Sequence, residues 1–144
     1  MEQVELLPPI ERPAKIICIG LNYRVHAQEQ GKEAPETGQV FDGAAPCGPA
    51  LVTPDEAGPH DAIEIELRLN GELMQSSSTA DLVHSVPQLV AYLSMLMTLE
   101  PGDLVATGTP AGVGSMRDPK VWLKPGDHVE VSSPQLGVLE TRQA

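Results

Sequence analysis

The segment from Asn22 to Glu29 combines residue types that can move a proton. His26 is a general base that titrates near neutral pH, and Glu29 follows it by three residues and could orient its imidazole. If the segment is helical, Tyr23, His26 and Glu29 share one face. Asn22 can cap such a helix, and Gly31 can end it. Spacing alone does not separate this pair from a surface histidine beside a solvated glutamate.

A second segment, TGTPAGVG at residues 107–114, is rich in glycine. Turns of this kind expose backbone N–H groups that can hold a carboxylate or an enolate. They also need glycine to reach their backbone angles, and both interpretations stay open. The segment is not a nucleotide-binding P-loop, because the Gly-Lys-Ser/Thr ending is missing.

Other polar groups do not form a recognisable site. Glu64 and Glu66 make a Glu-x-Glu pair, but both fall on the solvent side of an alternating strand. Asp81 fits the first turn of a helix better than a metal site. Serines 76–78 lack the Gly-x-Ser-x-Gly motif of a nucleophile elbow. Three further histidines have no zinc-site spacing: His60, His84 and His128.

Hydrophobic patterning predicts the elements that must position these residues. Residues 15–21 are apolar and β-branched, which predicts a buried strand with Cys18 as a buried thiol. Residues 63–70 alternate apolar and polar side chains, and Asn70-Gly71 is the preferred turn into a return strand. Residues 86–99 have the apolar spacing of a helix, which Ser78 or Thr79 could cap. The helix should bury these side chains: Leu89, Val90, Leu93, Leu96 and Met97. Shorter strands are predicted at 39–41, 51–53, 104–108, 128–133 and 136–141.

The pattern as a whole predicts an α+β, mostly β fold with two helices, one after Asn22 and one at 86–99. The chain has 144 residues, enough for one core, so we expect one domain over 1–144 with 1–14 as an extended lead-in. The 13 Gly and 14 Pro residues favour short strands and turns over a helix bundle.

Composition narrows the partners and the compartment. A formal net charge of −11 repels phosphate backbones and anionic lipid, so we expect neither nucleic acid nor membrane as a partner. Cys18 and Cys47 form no disulfide framework, and neither a signal peptide nor an apolar membrane span is evident. These features predict a cytoplasmic protein.

Four motifs, in order, resemble the fumarylacetoacetate hydrolase (FAH) family. They are KIICIGLNYRVHAQE at 15–29, the stretch from LRLNGELMQ to TGTPAGVG at 67–114, LKPGDHVEV at 123–131 and LGVLET at 136–141. The resemblance covers most of the chain and implies an FAH-like β-roll. It also implies an enzyme acting on a β-dicarbonyl or 2-oxo acid, by C–C hydrolysis, decarboxylation or isomerisation. Family members bind Mg²⁺, Mn²⁺ or Ca²⁺, which stabilises a substrate enolate.

The resemblance assigns roles to residues of this chain. His26 and Glu29 match the family's catalytic dyad. Thr109 matches a residue of the substrate pocket and is the third candidate catalytic residue, because with the nearby backbone it could form the oxyanion site. The resemblance further implies these substrate contacts: Asn22, Tyr23, Gln39, Gly108, Pro110 and Gly112.

The chain departs from the family pattern near residues 36–39. A long segment that carries a Glu-x-Glu pair and an Asp, the family's metal ligands, is absent there. Gln39 stands where the family usually has an active-site lysine. Losing three carboxylates leaves no designed site for a hard cation, so no metal ligand is assigned. No cofactor is certain, and Mg or Mn rests on the resemblance alone.

Three functions remain open. The first is a shortened FAH-like β-roll enzyme that uses His26 for proton transfer, with a compromised or absent metal site. Its reaction could be tautomerisation, cyclisation, decarboxylation or C–C hydrolysis. The second is an ordinary Mg/Mn-dependent acylpyruvate-type hydrolase or decarboxylase whose ligands are rebuilt across a dimer. The third is a non-catalytic remnant that binds a ligand or a partner.

If the chain is an enzyme, we expect it to bind a small-molecule substrate and a second copy of itself. The substrate is a small oxo acid or β-dicarbonyl compound. Because the deletion exposes strand edges and apolar surface, we also expect a homodimer.

Overall fold

The computed structural model describes residues 9–10, 13–20, 22–25 and 46–143. Its six strands are β1 Ile16–Cys18, β2 Glu64–Leu69, β3 Glu72–Ser78, β4 Leu104–Ala106, β5 His128–Ser133 and β6 Gly137–Arg142. Two helices, α1 Pro54–Ala57 and α2 Val86–Leu96, join them. The predicted α+β, mainly β class is confirmed. Several predicted features lie outside the described residues. They are most of the lead-in at 1–14, the strand at 39–41, and His26, Glu29, Gly31 and Gln39.

The main sheet has four antiparallel strands in the order β3-β2-β5-β6. Its central hairpin follows the prediction, because Asn70 and Gly71 adopt φ values of 52° and 85°, the left-handed pair that a type I′ turn requires. The β2–β3 register shifts once, so that Leu67 pairs with Gln75 but Arg68 pairs with Leu73. Met74 is the extra residue of this bulge, and its side chain is buried.

The two faces of the sheet differ in polarity. Glu66 lies opposite Ser76 on β3 and Ser132 on β5, so Glu64 and Glu66 are on the polar face, as predicted. The Arg68–Glu66 ion pair on that face, 3.1 Å long, is too exposed to stabilise the fold much. The opposite face carries aliphatic side chains from β2 and β5, and it faces the region where the candidate site lies.

A smaller parallel sheet consists of β1 and β4 alone among the described strands. The prediction of a buried strand and a buried thiol is wrong here. Ile16 is 60% exposed and Cys18 is an exposed free thiol. A two-stranded sheet that no further strand extends has too little neighbouring structure to cover both of its faces.

The helices also differ from the prediction. Residues 51–53 are not a strand and lead into α1, where Pro54 at the first position and two acidic residues in the first turn favour a helix. The backbone is helical at Arg24 and Val25, where a helix is predicted, and residues 26–45 lie outside the described residues. Helix α2 ends at Leu96, three residues early.

Caps are displaced from the predicted positions. Ser78 forms a capping box with Asp81 for a short 3₁₀ helix, Thr79–Asp81, so Asp81 is a first-turn charge as expected. The N-cap of α2 is Ser85 instead, and its backbone N–H donates to Gln88 Oε1 over 2.9 Å.

The core is small. Its buried apolar side chains are Tyr23, Met74, Leu82, Leu89 and Leu93. The prediction that α2 would bury a wider face is wrong, because Val90, Leu96 and Met97 remain exposed. Within the described residues, no helix combines the length and the apolar character needed to cross a membrane.

Candidate functional site

The TGTPAGVG segment, the glycine-rich loop at 107–114, lies against β3 at its bulge. Gln75 Nε2 donates to Thr109 Oγ1 over 3.0 Å and to the Pro110 carbonyl over 2.6 Å. Arg117 donates to the carbonyls of Gly112 and Met74, over 3.1 and 2.6 Å. Two side chains, one on the strand and one beyond the loop, therefore fix the loop to the sheet.

Glycine is required at two positions of this loop for close backbone packing. A Cβ on Gly112 would collide with the Met74 carbonyl oxygen, and the backbone there has a φ of +97°. A Cβ on Gly114 would collide with the Val121 carbonyl oxygen. The conformational interpretation of the glycines therefore holds, and it also explains how the loop comes so near the strand.

Within the described residues, the Thr109 hydroxyl accepts one hydrogen bond and donates none. A hydroxyl has one hydrogen and two lone pairs, and Gln75 donates to one lone pair. The Thr109 O–H hydrogen can turn toward an acceptor, and the residue is exposed. The hydroxyl is thus set up to donate to an oxygen of a bound molecule.

Next to this hydroxyl lies a cavity of about 530 Å³ between the apolar face of the sheet and residues 112–123. Gln75 and Thr109 supply its polar side chains. Leu67 on β2, Val129 on β5 and Val121 beyond the loop are among its aliphatic ones. Natural ligand sites have this size and this mixture of apolar walls and a few polar groups.

Asn22 joins three parts of the chain around the loop. It is only 1% exposed, and its Nδ2 donates to the carbonyls of His84 and Thr107 over 3.1 and 2.9 Å. Its Oδ1 accepts from the His84 N–H over 2.8 Å. Both side-chain N–H groups are occupied by backbone, so Asn22 positions the loop and has no donor left for a substrate.

Tyr23 is also buried, and it forms an isolated antiparallel bridge with Leu82. Burial raises the pKa of its phenol, with a smaller contribution from the negative charge of Asp81. A Cβ on Gly108 would come within 3.4 Å of the Tyr23 ring and 3.1 Å of Asn22 Cβ. Gly108 therefore lets the loop pass close to both side chains.

The structure thus gathers six of the predicted site residues along one loop: Asn22, Tyr23, Gly108, Thr109, Pro110 and Gly112. The predicted base His26, with Glu29 and Gln39, lies outside the described residues. Two contributors were missed. Gln75 lies opposite Leu67 on the apolar face of the sheet, but residues 72–78 do not alternate apolar and polar side chains, so the sequence carries no signal for it. Arg117 has none either, because its reach to Met74 depends on the path of the loop.

An ion pair holds the strands that carry this site. Lys15 Nζ lies 2.9 Å from Asp103 Oδ2, which also accepts from the Glu100 N–H over 2.8 Å. The hydrogen bond from the Glu100 N–H makes the largest contribution to lowering the pKa of the Asp103 carboxyl, and the one from Lys15 makes the next largest. In turn, the hydrogen bond to Asp103 raises the pKa of Lys15. The pair connects the start of β1 to the turn before β4.

The resembling family binds a divalent metal, which needs several oxygen ligands close together. In the part of the chain that the structure describes, no three His, Cys, Asp or Glu side chains converge as a ligand set. Glu64 and Glu66 are on the polar face, away from the loop and the cavity. The described residues therefore do not fit a hard divalent cation.

Comparison with known proteins places the chain. The family model described as fumarylacetoacetate (FAA) hydrolase C-terminal matches residues 35–143. The mitochondrial oxaloacetate tautomerase Fahd2a of Rattus norvegicus is 32% identical over 215 residues, covering 95% of this chain and 68% of the relative. That alignment is longer than the 144-residue chain, so a substantial part of the relative has no counterpart within it.

Two solved structures share the fold. A fumarylacetoacetate hydrolase from psychrophilic Exiguobacterium antarcticum matches with a TM-score of 0.70 and 39% identity, over 83% of this chain and 43% of its own. Maleylpyruvate hydrolase from Sphingobium sp. SYK-6, in complex with manganese(II) and pyruvate, matches with a TM-score of 0.59 and 35% identity, over 66% and 33%. The chain thus spans less than half the length of either. On the family match and these shared folds, the chain belongs to the fumarylacetoacetate hydrolase family.

Proposed function

We propose that this chain is an enzyme of the family that moves a proton on a 2-oxo acid or a related β-dicarbonyl compound. The observation that carries the proposal is the Gln75–Thr109 hydrogen bond of 3.0 Å at the cavity. It leaves the Thr109 O–H as a donor toward the oxygen on which negative charge develops when such a substrate enolises. Donors aimed at developing charge are a large source of rate enhancement.

His26 is the proposed base, and Glu29 is the carboxylate that orients it. The support is local: Asn22, four residues before His26, is hydrogen-bonded to the Thr107 carbonyl at the start of the glycine-rich loop. The segment leading to His26 therefore departs from the edge of the proposed site. An imidazole near neutral pH suits removal of a proton from the carbon next to a keto group.

The simplest reaction for this set of groups is keto–enol tautomerisation. His26 takes the proton from carbon, and the C–H electron pair forms the enol double bond while the carbonyl π pair moves to the keto oxygen. The imidazolium then returns a proton to that oxygen, directly or through water, which restores neutral His26. The name of the relative from Rattus norvegicus, an oxaloacetate tautomerase, supports this choice. Decarboxylation or C–C hydrolysis would instead start from the keto form and release an enolate as the C–C bond breaks, and either reaction needs further groups.

The direct test follows exchange of the C3 protons of pyruvate with deuterium by NMR. We expect His26→Ala and Thr109→Val to slow exchange by at least about tenfold, since general bases and oxyanion donors contribute this much or more. Thr109→Ser keeps a hydroxyl and should retain most of the rate, and His60→Ala serves as the histidine control. Unchanged exchange in His26→Ala would refute the proposed base.

A calorimetric titration of Mg²⁺ and Mn²⁺ into chelator-treated protein decides whether a cation takes part. Micromolar binding would mean that the ligands are rebuilt, for example across a dimer, and would favour the ordinary family reaction. If no cation binds and proton exchange occurs, His26 and Thr109 carry the chemistry without a metal. If no cation binds and no exchange occurs, the chain has a ligand-binding role.

We also propose that the chain works as a homodimer through α2. Tyr92, Met95 and Leu96 form an apolar stripe on this helix and are all more than half exposed. Residues 82–99 contain no Asp, Glu, Lys or Arg, although the whole chain has a net charge of −11. Two copies repel each other least where this uncharged stretch faces itself, so a second copy is the occupant proposed for the stripe.

The proposed compartment is the cytoplasm. Cys18 and Cys47 are exposed free thiols. Exposed thiols persist in reduced form where glutathione and thioredoxin maintain a reducing environment, which supports this location.

A further inference from the structure

The walls of the cavity beside Thr109 are more apolar than the acids named for the relatives would require. Leu67, Val113, Val121, Leu123 and Val129 are among its aliphatic residues. None of the described residues that line it carries a charged side chain. The polar groups, Gln75 and Thr109, are hydrogen-bonded to each other and therefore lie together at one end.

The cavity is a solvent-open depression of about 530 Å³, which is within the size range of natural ligand sites. Leu123 in its wall is 55% exposed. Leaving such an apolar wall in contact with water is unfavourable, so a bound molecule with its own apolar part is a better occupant than water.

The polar end defines the rest of the ligand. The two N–H groups of Gln75 Nε2 are directed at Thr109 and Pro110, so the Thr109 hydroxyl is the donor left over there. One oxygen-rich group can be held at that end. A second carboxylate at the far end would lie against aliphatic walls with no cation among the described lining residues, which is strongly unfavourable for an ionised group.

We propose that the site takes 2-oxo acids with a single carboxylate and an apolar substituent, in preference to dicarboxylic acids such as oxaloacetate. The proposal rests on the function proposed above for the polar end of the ligand, and on the cavity for the apolar end. The substrate class is thereby narrowed to oxo acids that carry a hydrocarbon tail several carbons long.

Affinity measurements with a homologous series test this directly. The probes are 2-oxobutanoate, 2-oxooctanoate and oxaloacetate, with Kd measured by calorimetry. Each buried methylene gives roughly a fourfold gain in affinity, so 2-oxooctanoate should bind at least about tenfold more tightly than 2-oxobutanoate. Oxaloacetate should bind more weakly than 2-oxooctanoate. Trp122, the chain's single tryptophan, lies between Val121 and Leu123 of the wall, so its fluorescence gives a second readout.

Two variants locate the tail. Leu123→Gln makes an already exposed part of the wall polar and should reduce the preference for the longer acid. Leu136→Gln is the matched control, because Leu136 is 42% exposed and does not line the cavity. Val129→Phe fills the cavity and should weaken 2-oxooctanoate more than 2-oxobutanoate.

The possible outcomes separate this inference from the proposed function. Equal affinity for both chain lengths, or a Leu123→Gln effect no larger than that of Leu136→Gln, would overturn the inference even if proton exchange persists. Chain-length selectivity without any proton exchange would support the inference and would count against the proposed catalysis. Tighter binding of oxaloacetate than of 2-oxooctanoate would also overturn it.

Discussion

Polar side chains near the glycine-rich loop differ in whether their hydrogen-bonding groups are already occupied. Asn22 gives both of its N–H groups to backbone carbonyls. Gln75 likewise gives its N–H groups to the loop, and Thr109 receives one of them. The result is a graded arrangement in which two amides hold the loop and one hydroxyl is left for a ligand.

Gln75 is therefore expected to act through Thr109. Gln75→Ala should lower kcat for proton exchange several-fold with little change in KM, because the hydroxyl loses its partner but the cavity stays open. Gln75→Glu is more informative, since an ionised carboxylate cannot donate to the oxygens of Thr109 and Pro110.

The pH profile separates positioning by Gln75 from simple loss of structure. A glutamic acid among acceptor oxygens has a raised pKa, and its protonated form regains one donor. The activity of Gln75→Glu relative to the unmodified protein should thus rise as the pH falls. A ratio that is constant with pH would contradict this role.

Asp103 gives a prediction for stability against pH. Its pKa is lowered in the folded chain from the ordinary 3.8 by the Glu100 and Lys15 hydrogen bonds. A group with a depressed folded pKa stabilises the fold fully above its ordinary pKa and loses this effect as the pH falls through the folded pKa. Urea unfolding should show the protein more stable than Asp103→Asn at pH 6, with the difference shrinking below about pH 4. A stability difference between the two proteins that does not depend on pH would contradict this prediction. Asp61→Asn is the control, because Asp61 is exposed.

At the scale of elements, the decisive feature is how closely the glycine-rich loop packs on β3. The loop approaches so closely that the Met74 carbonyl occupies the space where a side chain on Gly112 would begin. This contact, the Arg117 hydrogen bonds and the bulge at Met74 act on the same small region.

Gly112→Ala should therefore destabilise the protein by about 3 kcal/mol or more, combining a backbone clash with a strained φ. Gly126→Ala is a matched control, because Gly126 has a similar φ of +89° but no neighbouring atom within 4 Å of the position that an alanine Cβ would take. It should cost only about 1 kcal/mol. Urea unfolding of both measures the difference, and equal losses would show that the close approach does not matter.

Local signals in the sequence predicted the elements whose causes are local. The Asn70-Gly71 hairpin is fixed by two adjacent residues with positive φ, and it forms as predicted. The start of α2 at residue 86 is also local, because Pro87 and the Ser85–Gln88 contact lie within one turn. The core is different, since burial of Ile16 or Leu96 depends on which other layers of structure cover them.

The candidate site shows the same division. The residues of the TGTPAGVG loop were identified from the sequence because they are contiguous. The Gln75–Thr109 contact was missed because it joins positions 34 apart, and because a bulge shifts the β3 register just before it. A one-residue shift in register exchanges the faces of a strand, so alternation alone cannot show which polar residue meets the loop.

At the scale of the whole molecule, the apolar stripe on α2 determines the expected assembly. Met95 is the most exposed residue of the stripe, at 75%, and the helix that carries it has no charged residue. Met95→Glu adds a charge at the centre of the stripe and should shift the proposed dimer to monomer in analytical ultracentrifugation. Val138→Glu adds the same charge on the polar face of the sheet and should leave the dimer intact. An unmodified protein that is monomeric at every concentration would refute the proposal.

The β1–β4 pairing joins segments 88 residues apart in the chain, with Lys15–Asp103 at its start. Closing so long a loop carries an entropy cost, which this short sheet, its ion pair and the Asn22 contacts help to offset. The β2–β3 and β5–β6 hairpins of the main sheet join neighbours in sequence, and β2 pairs directly with β5 without involving β1 or β4. The main sheet can therefore persist when the β1–β4 closure opens. Opening would carry Asn22 and the chain that leads to His26 away from Thr109 while the main sheet remains folded. The catalytic groups proposed here are therefore assembled only while this long-range closure holds, and inactivation can precede unfolding.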